Sequence, residues 1–410
     1  MNATVSPLAP VAFPILPAVA GVRLAACAAG IRYAGRDDLM LAELAPGSTV
    51  AGVFTQSRMP GQPVIWCREC LSRGIVRAIV VNSGNANVFT GRAGRRVVER
   101  TADATARLLA CDPHEVYIAS TGVIGEPPPA EPITAALPTL AAQLDPAEWE
   151  PAARAIMTTD TFAKAATATA AIDGAAVRIN GFCKGSGMIA PDMATMLAFV
   201  FTDAALPQQI LQPLLVAANE PSFNSVTVDG DTSTSDTVLL CATGQARNTM
   251  IAAVDDPRIA GFRAALQAVM TDLAQQVARD GEGAQKFATI EVSGAENDRT
   301  ARRIGLTIGN SPLVKTAIAA GDANWGRLVM AIGRAGENAD PERLSIAIGG
   351  ITIAAEGGPI PGYDEAPVAR HMAGREINIA VDLGIGRGRA TVWTCDLTHG
   401  YVDINGSYRS

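Results

Sequence analysis

Short apolar runs and stretches with apolar residues at helical spacing alternate along most of the chain. Residues 75–82 (IVRAIVVN) and 116–120 (VYIAS) are rich in β-branched residues and are followed by Asn, Ser, Thr and Gly, which predicts two buried strands that each end in a turn. The spacing between them predicts a helix that includes Val97, Val98, Ala102, Ala106 and Leu109. This alternation indicates a layered α/β or α+β fold.

The second half of the chain changes its pattern near residue 285. Helices are predicted near 203–219 and 258–279, and the second ends at the helix stop Asp280-Gly281-Glu282-Gly283. Beyond residue 287 the pattern predicts a strand, two helices and then paired strands at 344–355, 376–383 and 388–395. We therefore predict a layered domain over 1–285 and a smaller C-terminal α/β domain over 286–410.

The composition supports a large core and limits the classes of partner. Of the 410 residues, 48% are hydrophobic and 18% are charged, so a core is easily filled. The net charge of −7 and the lack of a Lys/Arg run argue against nucleic-acid binding. No apolar run reaches the roughly 20 residues of a membrane span. The apolar residues 8–27 do not fit a signal peptide, because prolines interrupt them and no basic residue precedes them. We expect a cytoplasmic protein.

Cysteine and histidine offer little conventional chemistry. The seven cysteines are odd in number, which argues against a disulfide framework, and the Cys67-Arg-Glu-Cys70 pair lacks the partners of a zinc site. We interpret this pair as reduced, with a redox pair as the alternative. None of the three histidines lies near a recognisable Ser or Cys nucleophile motif. An enzyme with this sequence needs another base.

Residues 184–200 (KGSGMIAPDMATMLAFV) place a single hydroxyl, Thr195, between a bendable loop and an apolar run. A threonine freed at a chain terminus can use its own α-amine as a base, because that amine has a pKa of about 7.7–8.0. Self-cleavage before Thr195 needs a small preceding residue, and Ala194 fits. It also needs a rigid element behind the nucleophile, and residues 196–200 are predicted to form a buried strand. The residues alone leave a purely structural threonine open.

The segment KGSGMIAPDMATMLAF closely resembles the self-cleavage segment of the glutamate N-acetyltransferase (ornithine acetyltransferase) family of arginine biosynthesis. The resemblance covers nearly the whole chain, with the motifs in the family's order: VAGVFTQSR, NSGNAN, STGVIG, MTTDT, NSVTVDGDTSTSD, DGEGAQK, GDANWGR and the terminal YVDINGSYRS.

This resemblance implies a fold, a processing step and a reaction. The fold would be a layered α/β/β/α sandwich of the N-terminal-nucleophile-like group. The precursor would cut itself into an α chain (1–194) and a β chain (195–410), usually assembled as α2β2. Thr195 would take the acetyl group of N2-acetylornithine and pass it to glutamate. No cofactor is implied, although some members accept acetyl-CoA as a donor.

The resemblance also assigns residues to roles. Thr121 and Gly122 of STGVIG would stabilise the oxyanion, a donor role worth about 3–4 kcal/mol. Lys184 would face the substrate carboxylate and Glu282 the substrate amine. Three further positions match substrate-binding residues of the family: Thr158, with Thr159 and Thr161 as alternatives within the same motif, Asn405 and Ser410. Ser410 departs from the usual terminal threonine but keeps a hydroxyl.

Other interpretations stay open from the residues. An aminopeptidase or amidohydrolase on the same self-cleaving scaffold would let water resolve the acyl-enzyme. A glycine-rich anion-binding protein is a further alternative, although the phosphate-loop order GxxxxGK[ST] is absent. The carboxylates of Asp229, Asp231 and Asp236 could be drawn as a metal site, but turns cap themselves with the same pattern, and we predict no metal.

Overall fold

The computed structural model describes residues 4–190 and 196–407. In this part of the chain the strands are β1 (Val22–Cys27), β2 (Leu39–Leu44), β3 (Thr49–Phe54), β4 (Ala78–Asn85), β5 (Val116–Val123), β6 (Lys164–Ile172), β7 (Ala175–Lys184), β8 (Leu197–Thr202), β9 (Thr237–Ala242), β10 (Phe287–Ala295), β11 (Ser345–Ile348), β12 (Ile351–Ala355), β13 (Gly358–Pro359), β14 (Glu376–Asp382) and β15 (Gly388–Cys395). The helices are α1 (Gln62–Leu71), α2 (Gly91–Leu109), α3 (Ala130–Ala142), α4 (Trp149–Ala155), α5 (Gln208–Asn219), α6 (Ala260–Arg279), α7 (Asp298–Gly309), α8 (Pro312–Ala320), α9 (Trp325–Arg334), α10 (Glu365–Ala373) and α11 (His399–Ser407).

Two mixed sheets form the layered part of the molecule. The first has the strand order β1-β2-β4-β5 and the second the order β3-β9-β8-β7-β6. Side chains of both sheets meet in one core, to which helices α1 to α4 also contribute. Helices α5 and α6 pack against the opposite face of the second sheet and form a second core with it. The predicted layered α/β class is confirmed.

Strand β8 shows why the apolar run after Thr195 is continuous. It pairs with β7 on one side and β9 on the other, and all six of its residues are buried. Successive side chains of a strand point to opposite faces. Phe199 and Phe201 therefore enter the core shared with the first sheet, while Ala198 and Val200 face helices α5 and α6. The strand predicted behind Thr195 is confirmed.

A third sheet is built entirely from residues 287–395, in the order β13-β12-β11-β14-β10-β15. Its core includes side chains of α7, α8, α9 and α10. Phe287 and Trp393 belong instead to the core of the second sheet, so the third sheet packs directly on the layered part. The division into domains over 1–285 and 286–410 stays a prediction.

Strands β4 and β5 continue three residues beyond the ends that we predicted at Asn82 and Ser120. The two strands pair in parallel, with Gly84 opposite Gly122. Both glycines have positive φ, +108° and +128°, and a Cβ on Gly122 would lie 2.3 Å from the carbonyl carbon of Gly84. The turn-like residues were misread because glycine here permits a close approach of two backbones.

Two further predictions were that Cys67 and Cys70 are a reduced pair and that the chain has no membrane-spanning segment. Both cysteines are free, and burial raises the pKa of Cys70 to about 12 and the pKa of Cys67 still further. Thiols with raised pKa values are poor nucleophiles, which favours a reduced, structural pair. Across residues 4–190 and 196–407, no helix combines the length and the apolar character that crossing a bilayer requires.

Candidate active site

A cavity of about 170 Å³ lies where several segments of the layered part meet helix α11. Six residues with predicted roles line it: Thr121, Gly122, Thr158, Lys184, Glu282 and Asn405. Ala194, Thr195 and Ser410 lie outside the described residues. The structure therefore brings together every predicted site residue that it describes, although their roles stay predictions.

The ends of β4 and β5 present Thr121 and Gly122 to the cavity. Because the two strands are parallel, their carboxyl ends lie at the same edge of the sheet. Buried side chains brace this edge, since the Ser120 hydroxyl donates to Asn82 Oδ1 at 2.6 Å and Asn82 Nδ2 donates to the Asn85 carbonyl at 3.1 Å. The result is a rigid edge that carries a hydroxyl and a side-chain-free backbone, the groups that an oxyanion site needs.

Four buried charged side chains, Asp160, Lys164, Lys184 and Asp280, form an ionic cluster beneath the cavity. Lys164 Nζ lies 2.6 Å from Asp160 Oδ1 and 2.5 Å from Asp280 Oδ2, and these three side chains are fully buried. Asp160 Oδ1 also accepts the Gly185 N–H at 2.6 Å. The cluster joins the segment that follows α4, the end of β7 and the segment that follows α6, so it fixes three walls of the cavity.

Lys184 is the one member of the ionic cluster that lines the cavity. Its Nζ lies 3.8 Å from Asp160 Oδ2, and it makes no hydrogen bond to any residue within the described ranges. Burial lowers the pKa of Lys184 despite the nearby Asp160 and Glu282 carboxylates. The pKa of Asp160 lies below its ordinary value, because the charges of Lys164 and Lys184 outweigh the effect of burial. Lys184 thus faces the cavity with unused donors.

Glu282 lies opposite, in the segment that follows α6. Its backbone N–H donates to the Ser186 carbonyl at 2.8 Å, and its Oε2 accepts Asn405 Nδ2 at 2.6 Å. A Cβ on Gly187 would lie 2.4 Å from this carboxylate, so only glycine leaves room for it. Asn405 of α11 thereby orients a carboxylate that can accept a hydrogen bond from a ligand amine.

The MTTDT motif contributes two threonines to the cavity and one to its support. The hydroxyl of Thr159 is hydrogen-bonded to Ser186 Oγ at 2.7 Å, and Thr161 donates its N–H to Asp280 at 2.9 Å. The hydroxyl of Thr158 has no hydrogen bond within the part of the chain that the structure describes. Of the three candidates, Thr158 therefore has the hydroxyl most available to a ligand.

Asp229 and Asp236, which we interpreted as turn-capping residues, support the segments beside the cavity. Asp229 accepts the Asp231 N–H at 3.1 Å, as expected of a turn, but it also accepts the N–H groups of Met188 and Ile189 at 2.6 and 2.9 Å. Its carboxylate receives the Tyr401 hydroxyl at 3.1 Å as well. Burial, together with this carboxylate, raises the pKa of Tyr401.

Asp236 lies just before β9 and is fully buried. Its Oδ1 accepts the Met196 N–H at 2.9 Å, one residue after Thr195. Within the described ranges no group of three or more His, Cys, Asp or Glu side chains is placed to hold a metal ion. The sequence reasoning missed the support given by Asp160, Lys164, Asp280 and Asp236, although each lies in or beside a motif that it singled out.

Comparison with known proteins identifies the class and then its members. Residues 23–410 match the model of the ArgJ family, and the chain belongs to that family. It is 60% identical to the arginine biosynthesis bifunctional protein ArgJ of Gluconobacter oxydans, over 98% of this chain and 96% of that protein. The protein of the same name from Rhizobium meliloti is 56% identical over the full length of both chains. The crystal structure of the Bacillus halodurans argJ protein is similar to this chain, with a TM-score of 0.50 and 44% sequence identity. The match covers 51% of this chain and 98% of the crystallised chain.

Proposed function

We propose that the protein is a self-processing N-acetyltransferase of arginine biosynthesis that moves an acetyl group from N2-acetylornithine to glutamate. The observation that carries this proposal is the pairing of charges in one small cavity: a buried ammonium on Lys184 without a hydrogen bond in the described part of the chain, and the oriented carboxylate of Glu282. Both substrates carry a carboxylate, and the donor side chain carries an amine. Family membership and the 60% identical relative support the same reaction.

The proposed reaction assigns a role to Thr195 and to each of the residues around the cavity. The Thr195 hydroxyl attacks the acetyl carbonyl while its α-amine takes the hydroxyl proton. Thr121 and Gly122 stabilise the negative charge that develops on the acetyl oxygen. Ornithine leaves with the proton that the amine holds, and the amine of glutamate then attacks the acetyl-threonine ester by the same steps in reverse. Lys184 and Thr158 hold the substrate carboxylate, and Glu282 holds the ornithine side-chain amine.

Processing would give the chains 1–194 and 195–410. The solved Bacillus halodurans chain is covered over 98% of its length by 51% of this chain, so it is about half as long, which agrees with a two-chain protein. We further propose an α2β2 assembly and a cytoplasmic location. The enzyme would need no cofactor. Acetyl-CoA as a second donor would be detected by the release of free thiol in the presence of glutamate.

Intact mass and N-terminal sequencing of the purified protein test the processing. We expect two fragments, one of which begins with Thr195. Thr195→Ala should give one uncut chain without transfer activity, while the control Thr139→Ala, which removes an exposed hydroxyl on α3, should behave as the unaltered protein. An unbroken wild-type chain with full activity would refute the proposal.

A second assay separates transfer from hydrolysis. With N2-acetylornithine alone, a transferase releases at most one ornithine per site and then waits, and added glutamate restarts the release. Steady formation of acetate without glutamate would favour the alternative of an amidohydrolase on the same scaffold.

A further inference from the structure

Met196, the residue directly after Thr195, is held from both sides by the start of β9. Its N–H donates to Asp236 Oδ1 at 2.9 Å, and its carbonyl accepts the Thr237 N–H at 3.0 Å. The backbone of Asp236 is itself fixed, because its carbonyl accepts the Thr55 N–H at 3.1 Å. The carboxyl group of Asp236 is therefore held at the chain position where cleavage would create a new terminus.

The second oxygen of this carboxyl, Oδ2, is unpaired as far as the described part of the chain shows. Asp236 Oδ2 is fully buried and makes no hydrogen bond within residues 4–190 and 196–407. The nearby Thr55 hydroxyl donates instead to the Ser233 carbonyl at 2.5 Å, and the Ser233 hydroxyl accepts the Ser235 N–H at 3.0 Å. A buried polar atom without a partner is rare in a native protein and usually marks a functional group or a missing ligand.

The protonation of Asp236 is set mainly by its burial, which raises the pKa of the carboxyl well above its ordinary value. The Met196 N–H, the charge of Lys184 and the nearby hydroxyls of Ser233 and Thr55, neither of which is hydrogen-bonded to Oδ2, act in the opposite direction. Burial thus favours the protonated form of the carboxyl, which is the form that can donate a proton.

We propose that Asp236 serves self-cleavage in two ways: one oxygen fixes the peptide after Thr195, and the other delivers a proton to the Thr195 nitrogen. The nitrogens of successive residues are separated by at most about 3.6 Å, so the same carboxyl that binds Met196 can serve the preceding nitrogen. The inference rests on the proposed function, because it takes Ala194–Thr195 as the bond that breaks.

Every bond and proton in this step can be followed. The Thr195 oxygen forms a bond to the Ala194 carbonyl carbon, the carbon–nitrogen bond breaks, and its electron pair stays on nitrogen. Asp236 protonates that nitrogen and is reprotonated by the proton that the hydroxyl loses. Water then hydrolyses the ester to give the Ala194 carboxylate and to restore the Thr195 hydroxyl.

Asp236→Asn separates the two roles. The amide keeps an oxygen that can accept the Met196 N–H but has no acidic proton to give. General acid catalysis is worth about 10²- to 10⁴-fold, so we expect the cleavage rate of the precursor to fall at least 100-fold. The matched control is Asp203→Asn at the other end of β8, where a buried aspartate accepts the Arg178 N–H at 2.8 Å. This control should cleave at the wild-type rate.

Cleavage is followed by intact mass after the precursor is freshly synthesised, at several pH values, together with the melting temperature of each variant. Because the protonated carboxyl is the donor, the wild-type rate should fall as pH rises through the folded-state pKa of Asp236. An Asp236→Asn precursor that cleaves at the wild-type rate overturns the inference.

The test does not depend on Asp236→Asn being stable. If that variant fails to fold, the wild-type pH profile decides, and a rate that stays flat or rises with pH overturns the inference. Failure of the proposed function looks different, since Thr195→Ala would then cleave or the wild-type chain would remain whole.

Discussion

Lys184 and Lys164 belong to the same ionic cluster, but we predict that only the replacement of Lys164 by methionine destabilises the protein. Lys164 forms two close ion pairs, with Asp160 and Asp280, whereas within residues 4–190 and 196–407 the one ion-pair contact of Lys184 is with Asp160 at 3.8 Å. The two lysines are similarly buried, so the comparison isolates the effect of pairing. Methionine has a similar length and carries no charge.

The magnitudes follow from these contacts. The attraction across 3.8 Å is about 4 kcal/mol at an effective dielectric constant of 20. Burying an ammonium costs several kcal/mol, and the lowered pKa of Lys184 indicates that burial prevails. Lys184→Met should therefore leave the free energy of unfolding unchanged or raise it by about 1 kcal/mol. Lys164→Met removes the close ion pair from two buried carboxylates and should cost about 3–5 kcal/mol.

The assay is urea unfolding followed by tryptophan fluorescence, in the Thr195→Ala background so that every variant is a single chain. The midpoint for Lys164→Met should fall strongly, and the midpoint for Lys184→Met should not fall. In the otherwise unaltered protein, Lys184→Met should still cleave. A lost charged hydrogen bond is worth about 1.5–3 kcal/mol, so its KM for glutamate should rise about 10- to 150-fold. Equal destabilisation by the two substitutions would refute this account of Lys184.

The pH dependence of the free energy of unfolding is a second check on the direction of the Lys184→Met effect. A lysine whose pKa is lowered in the folded state binds fewer protons there than in the unfolded chain. Stability therefore rises with pH between the folded-state pKa and the unfolded value of about 10.4. Any stability advantage of Lys184→Met over the wild type should shrink across that window. An advantage that grows with pH would contradict the burial argument.

Three further substitutions test the walls of the cavity. Glu282→Gln should raise the KM for N2-acetylornithine about 10- to 150-fold through loss of a charged hydrogen bond, while the precursor still cleaves; an unchanged KM in steady-state kinetics would contradict this role. Gly187→Ala should displace Glu282, since the new Cβ would lie 2.4 Å from its carboxylate, and the same KM should rise without loss of cleavage. Gly122→Ala meets both a positive φ and the backbone of Gly84, so kcat should fall about 100-fold or more; activity within a few-fold of wild type would show that Gly122 is not needed at the oxyanion.

Local pattern predicted the elements that carry the site, because the apolar runs of β4, β5 and β8 are short and bounded by turn residues. The predicted ends of β4 and β5 were wrong, because glycine is favoured both in turns and where two backbones approach closely. Only the parallel pairing of Gly84 with Gly122 distinguishes the two uses, and that pairing joins residues far apart in the sequence.

The ionic cluster could not have been predicted from the sequence, for a similar reason. Lys164 and Asp280 are separated by 116 positions, and each looks like an ordinary polar residue, one at a strand start and the other at a helix end. Their burial follows from the packing of α6 on β6 and β7. Resemblance to a family marked the residues that would touch the substrate, whereas the residues that hold them in place became apparent only in the fold.

The position of Lys184 connects this support with the proposed reaction. Its ammonium is buried without a hydrogen bond in the described part of the chain, so the desolvation cost is already present before a ligand arrives. A substrate carboxylate can then gain the full charged hydrogen bond without displacing a protein partner. Asp160 contributes the compensating charge, but the oxygen that lies nearest Lys184, Oδ2, accepts the Thr158 N–H at 3.1 Å and remains 3.8 Å from Nζ. The nearby Asp160 carboxylate favours the charged form of Lys184, and the ionic cluster leaves the donors of this lysine available to an amino-acid carboxylate.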